Sequence, residues 1–147
     1  MSTVTATILI AAPPTEVWKT VMDPQRLGEW VTIHRGLRHA DDGPPRVGFE
    51  MHQRVHLRGV SLDVHWRLVE CEPNRHAVWE GSGPARSRAR TEYTLEDHDG
   101  GTLFDYRNEF HAPLGPVGAL ASRALVGGMP EREATRTLER LRSLLNH

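Results

Sequence analysis

The side chains of this sequence best suited to chemistry are two tyrosines, Tyr93 and Tyr106, the amides Gln53 and Asn108, and nine histidines. Phenol and amide groups on an apolar wall can orient a carbonyl-bearing molecule by hydrogen bonding, but they are poor acids and bases at neutral pH. Histidine offers more, as a metal ligand or a proton carrier. His52 and His56 have the spacing H-x-x-x-H, but on a strand residues four apart are separated by ~13 Å and cannot share an ion. His52 and His65 fall opposite each other in the pairing derived below, both on the polar face, with no cysteine or carboxylate cluster to complete a site. No metal and no cofactor is therefore expected. His34, shortly after Trp30, is the one histidine placed near the entrance of an interior site.

The elements that must position these groups are mostly strands. Over residues 47–57, Phe49, Met51, Gln53, Val55 and Leu57 share one face, and Glu50, His52, Arg54 and His56 the other. Over 60–69, Leu62, Val64, Trp66 and Leu68 oppose Asp63, His65 and Arg67. Such period-two alternation marks half-buried strands. Arg58-Gly59 between them reads as a two-residue hairpin turn, and the register it sets pairs Glu50 with Arg67, Arg54 with Asp63 and Met51 with Trp66. Opposite charges then meet on the polar face, each pair worth ~0.2–1 kcal/mol. A second hairpin joins 85–95 to 102–111 through His98-Asp99-Gly100-Gly101. It sets Arg90 against Glu109 and Glu92 against Arg107, and a slip by two would set Arg90 against Arg107. Its inward face carries Ser87, Ala89, Thr91, Tyr93, Tyr106 and Asn108 with Phe104 and Phe110; its outward arginines, Arg86, Arg88 and Arg90, lie across from acids as a solvated face.

The remaining elements follow from local signals. Val4 to Ile10 alternates with Thr3, Thr5 and Thr7 and reads as a strand. Pro14-Thr15-Glu16 opens a short helix that carries Val17, Trp18 and Val21 inward and stops near Asp23-Pro24. A second short helical turn holds Leu27 and Trp30, a poorly patterned strand covers Ile33 to His39, and His76 to Gly81 is another strand. From Gly115 to Asn146 the apolar residues recur at helical spacing, with a break at Gly127-Gly128-Met129-Pro130 that either kinks the helix or lets it shift to admit a ligand. The fold class is thus α+β, with about seven antiparallel strands, two short helices and a long C-terminal helix.

Composition narrows the function. A chain of 147 residues without repeats or linkers makes one domain, covering 1–147. The formal net charge of -1 argues against a nucleic-acid partner. The single cysteine, Cys71, forbids an internal disulfide. No run approaches the ~20 apolar residues of a membrane span, and no basic residue precedes the apolar patch Ala6–Ala12, so a signal peptide is not expected either. These features predict a cytoplasmic protein; they leave open whether it is a monomer or homodimer.

The order of elements resembles the START-like or SRPBCC superfamily, the polyketide cyclase/dehydrase-like group with the helix-grip fold. Ile10, Ala12, Pro13, Val17 and Trp18 match its I-x-A-P-x-x-x-V-W opening, Asp23 and Trp30 its D…W continuation, and Trp66, Glu70, Pro73, Arg75 and Trp79 its W-x-x-x-E-x-x-P-x-R-x-x-x-W texture. The resemblance covers essentially the whole chain. It implies a curved sheet around the C-terminal helix with a cavity between them, and a hydrophobic small molecule as partner. The aromatic and aliphatic wall would come from Trp30, Met51, Val64, Trp66, Trp79 and Phe110. The polar wall would come from His34, Gln53, Ser87, Thr91, Tyr93, Tyr106 and Asn108, with Leu120 and Ala124 of the helix closing it. Small residues beside large aromatics on a concave sheet leave volume unfilled, as ligand pockets do. The leading expectation is a carrier of a lipid or polyketide-like molecule. The alternatives are an aromatic polyketide cyclase/dehydratase using Tyr93, Tyr106 and Asn108 to position its substrate, and a resistance protein that sequesters a toxic polyketide.

Overall fold

A computed structural model describes residues 2–57, 59–111 and 131–146. The break at Gly127–Pro130, and Leu120 and Ala124, lie outside the described residues.

The alternating segments form strands β1 (Ser2–Ile10), β2 (His34–Ala40), β3 (Glu50–Leu57), β4 (Val60–Glu72), β5 (His76–Ser82), β6 (Arg88–His98) and β7 (Gly101–His111). They make one curved seven-stranded sheet in the order β1-β7-β6-β5-β4-β3-β2, every neighbouring pair antiparallel. Between β1 and β2 the chain crosses from one edge to the other through α1 (Pro14–Val21), a 3-10 turn (Pro24–Arg26) and α2 (Leu27–Trp30). Pro14 stands at the first helical position, where its missing N–H has no partner to lose. Met22 closes the helix, and Asp23 starts the turn, its Oδ1 accepting from the Gln25 amide at 3.0 Å.

Both hairpins have the expected register: Glu50 faces Arg67 and Met51 faces Trp66, while Glu92 faces Arg107 and Arg90 faces Glu109. Asp99 and Gly100 both have positive φ (51° and 86°), the conformation a two-residue hairpin turn requires. The charges nevertheless do not all pair straight across. Arg54 does reach Asp63, at 3.9 Å, but Glu50 turns to His65 (3.2 Å), Arg107 to Glu109 on its own strand (2.9 Å) and Arg90 to Glu92 (3.5 Å) and Glu70 (3.9 Å). Exposed ion pairs are worth only ~0–1 kcal/mol, so long side chains choose among several neighbours with little penalty. The start of β6 also departs from the alternation expected over residues 85–95. Pro84–Arg86 forms a 3-10 turn and Arg86 has φ 65°, so the strand begins at Arg88 and Arg86 is not part of the outward arginine row. Arg88 lies between Ser82 and His111 and not across from acids, and it borders the cavity on the concave face.

The C-terminal helix α3 (Glu131–Leu145) buries Ala134, Leu138, Leu141 and Leu145, one face at helical spacing. It packs chiefly on β1 and α2. Polar contacts fix its position: Thr137 Oγ1 accepts from the Thr32 amide (3.2 Å), Glu133 accepts the Thr32 hydroxyl (2.6 Å), and Asn146 Oδ1 accepts from the Ala11 amide (3.1 Å). The core beneath it contains Ile10, Val17, Trp30, Phe49, Leu68 and Phe104, each at most 2% exposed. This is the helix-grip α+β arrangement, and its packing leaves space on the concave face of the sheet.

Candidate functional site

That space is a cavity of about 100 Å³ between the inner face of β3–β7, the α2 segment and Thr137 of α3. Its wall is mostly hydrocarbon because alternation turns Met51, Val55, Val64, Trp66, Trp79 and Phe110 to the same face. Trp30 closes one end, edge-on to Tyr93 (ring centres 6.0 Å apart) and to Phe104 (6.4 Å). The 3-10 turn, through Gly83, Pro84 and Ser87, forms another part of the lining.

Two hydrogen-bonded groups interrupt the apolar wall. In the first, Asn108 donates from Nδ2 to Thr91 Oγ1 (3.2 Å) and to Tyr106 Oη (3.0 Å). Both amide hydrogens are thereby directed into the wall, which leaves the amide oxygen as acceptor. Burial raises the Tyr106 phenol above its ordinary pKa, against the opposing pull of the hydrogen bonds with Asn108 and Thr91. Burial also pushes Tyr93 up, with the adjacent Tyr106 adding to it; their rings stack at 6.1 Å. Both phenols are therefore neutral at pH 7, able to donate a hydrogen bond but not to take a proton.

In the second group, Trp66 donates from Nε1 to Gln53 Oε1 (2.8 Å), and Gln53 Nε2 lies 2.9 Å from His34 Nδ1. Gln53 is 6% exposed, so this pairing is what allows an amide on an otherwise apolar face. His34 has its pKa lowered by burial. Ser87 is occupied by its own turn, donating to Pro84 O at 2.8 Å. The Trp30 indole N–H is buried without an acceptor among the described residues. Such a group costs ~1–3 kcal/mol, which an acceptor brought within reach would recover.

The expected wall residues Trp30, Met51, Gln53, Val64, Trp66 and Trp79 line the cavity, as do Ser87, Thr91, Tyr93, Tyr106, Asn108 and Phe110. His34 does not; it stands behind Gln53, bonded to it. The strand it begins is irregular, with register shifts between His34 and Gly36 and between Leu37 and His39, so alternation could not place it. Sequence reasoning missed Gly81. It pairs with Trp66 across β4 and β5, and a Cβ there would fall 2.8 Å from the indole carbons Cε3 and Cζ3. The indole thus lies over a bare backbone. The signal was available, since glycine inside a strand marks a close approach. Leu27, Val31, Ile33 and Thr137 were also missed, because loop and helix residues carry no period-two cue.

On the outer face His39, His52 and His65 stand in a row, with ring centres 5.6 and 4.2 Å apart. Among the described residues no group of three or more His, Cys, Asp or Glu side chains is arranged to hold a metal ion.

The sequence profile of the family described as polyketide cyclase/dehydrase and lipid transport matches residues 1–146. The chain belongs to that family. It is 27% identical over 129 residues to the uncharacterized protein Rv1546 of Mycobacterium tuberculosis, covering 86% of this chain and 90% of the relative. To a protein named Toxin Rv0910 from the same organism it is 25% identical over 127 residues, covering 85% and 88%. The crystal structure of the Zhui aromatase/cyclase from a Streptomyces species superposes with a TM-score of 0.80 at 15% identity, covering 97% of this chain and 92% of that one. That likeness concerns the fold. Among the described residues no helix is long and apolar enough to cross a membrane.

Proposed function

We propose that this protein binds and carries a hydrophobic small molecule in the cavity between its sheet and its C-terminal helix. The observation that carries this reading is the chemistry of the wall. It is apolar over most of its area, and its amides are already bonded to Trp66, His34, Thr91 and Tyr106. Apolar walls with a few fixed polar groups favour binding by burial, at roughly 25 cal/mol per Å² of apolar surface removed from water. The family description, which includes lipid transport, agrees with such a role.

A second reading, a cyclase or dehydratase, draws support from the Thr91–Asn108–Tyr106 cluster, which could orient a carbonyl. Its two phenols stay protonated, so they would act as donors only. Native mass spectrometry of the purified protein separates the readings. A carrier retains an unmodified apolar molecule; a cyclase incubated with a linear poly-β-ketone releases it cyclised, lighter by one water for each dehydration. Protein that takes up no apolar molecule at all contradicts both.

A further inference from the structure

The Trp66–Gln53–His34 chain has only one consistent pattern of donors and acceptors. An indole nitrogen can donate and cannot accept. Placed 2.8 Å from Gln53, the Trp66 N–H fixes the amide with its oxygen toward the indole. The amide nitrogen, which also only donates, must then face His34 Nδ1 at 2.9 Å. Nδ1 is therefore the acceptor, and the neutral ring carries its proton on Nε2.

Protonated histidine has donors on both nitrogens and no acceptor. Its Nδ1–H would face the Gln53 amide hydrogens. Turning the amide over repairs that contact but points the same hydrogens at the Trp66 N–H. Whichever way Gln53 turns, one donor meets another. The two residues caught in this conflict, Gln53 and Trp66, form part of the cavity wall, where the Trp66 ring lies over Gly81 at a distance that would not admit a Cβ.

We propose that ligand binding is linked to one proton on His34, whose neutral ring locks Gln53 and Trp66 in the binding arrangement and whose protonation releases them together with the ligand. This rests on the cavity being the binding site, as argued above.

The surroundings of His34 agree. On α2, Glu29 is held by Arg26 of the preceding turn (2.9 and 3.2 Å), and the Gly28 Cβ position lies 3.5 Å from His34 Cδ2. On β3, His34 pairs with Val55, flanked by Arg54, which reaches Asp63, and His56, which bonds Ser61. Arg35 follows on β2, and Glu133 of α3 takes the nearby Thr32 hydroxyl. Burial is the sole cause of the lowered His34 pKa, so none of these charges holds a proton on the ring. Because the folded protein binds that proton less readily than the unfolded chain, the stabilisation is complete above the ordinary value of 6.5 and is lost as pH falls through the lowered folded value.

The test is a fluorescence titration with N-phenyl-1-naphthylamine, a probe uncharged over this range, at pH values from about 7.5 down to about 5, spanning the ordinary histidine pKa. The affinity of the parent should fall, by up to about tenfold per pH unit, the limit for one linked proton. His34→Gln, whose amide oxygen can accept from Gln53 at every pH, should bind with no such slope. An NMR titration of the His34 ring in the parent should share its midpoint with the loss of binding, and this reading stands even if the variant does not fold. Affinity that is flat with pH, an equal slope in His34→Gln, or a midpoint away from the His34 titration would overturn the linkage while leaving the cavity as a binding site. Failure of the probe to bind at any pH would overturn both.

Discussion

Gly81 lies directly beneath the indole of Trp66. The two residues pair across β4 and β5, and a methyl group on Gly81 would meet the ring at 2.8 Å and Val64 Cγ1 at 2.9 Å. The glycine does not serve a turn; it makes room for a flat ring that the Gln53 amide then holds from its other end. Gly81→Ala should therefore destabilise the fold by ~1–3 kcal/mol, as overpacking does, although alanine is otherwise the better strand residue. Chemical denaturation gives the loss, and altered near-ultraviolet circular dichroism should report the displaced indole. A variant as stable as the parent, with an unchanged tryptophan signal, would show that the ring is not so confined.

Asn108 supplies hydrogens to two hydroxyls at once. Asn108→Ala removes that donor and should lower stability by ~1–3 kcal/mol, the range for a buried polar partner left unmet. Binding of a pure hydrocarbon probe should survive, because the apolar wall is intact. Under the carrier reading, a ligand bearing a hydroxyl should weaken more than the hydrocarbon. Equal weakening of both would remove Asn108 from ligand recognition.

The hairpins were legible in the sequence because alternation and charge selected the same registers, although the expected four-residue turn His98-Asp99-Gly100-Gly101 is tighter in the structure, where His98 and Gly101 pair and only Asp99 and Gly100 turn. The ion pairs within them were less so. Register fixes Cα positions, whereas Glu50 could reach Arg67 or His65 with little difference in energy, and it takes His65. The inward set on β3 and β6 was likewise readable, since one buried face imposes period two. His34 was not, because β2 is interrupted by register shifts. Its role came from the donor capacity of Trp66, two strands away, which no local pattern encodes.

Leu141 is fully buried on the face of α3 that grips the sheet. Leu141→Ala should cost ~2–5 kcal/mol by leaving a cavity. Urea unfolding should show a lower midpoint with an unchanged slope. A loss below ~1 kcal/mol would mean that the helix is not held by this face.

Glu92 is held below its ordinary pKa of 4.5, first by the 2.5 Å hydrogen bond with His76, against some loss from burial, with Arg90 and Arg107 adding attraction. A carboxylate lowered on folding contributes stability above 4.5 that is lost as pH falls through its folded value. His76→Ala should shift the acid unfolding midpoint upward, as followed by circular dichroism. An unmoved midpoint would exclude this pair from acid stability.

The most direct measurement of the central claim is a titration of the parent and of Ala89→Phe with N-phenyl-1-naphthylamine at neutral pH. Ala89 is a small residue on the cavity wall, paired with Gly81 and with Phe110. The parent should bind one equivalent, with a change in tryptophan emission from Trp66 and Trp79. Ala89→Phe, with its far-ultraviolet spectrum unchanged, should have its cavity filled and bind at least about tenfold more weakly, the equivalent of ~1.4 kcal/mol. A parent that does not bind, or a folded Ala89→Phe that binds equally well, would contradict a ligand site on the concave face of this sheet.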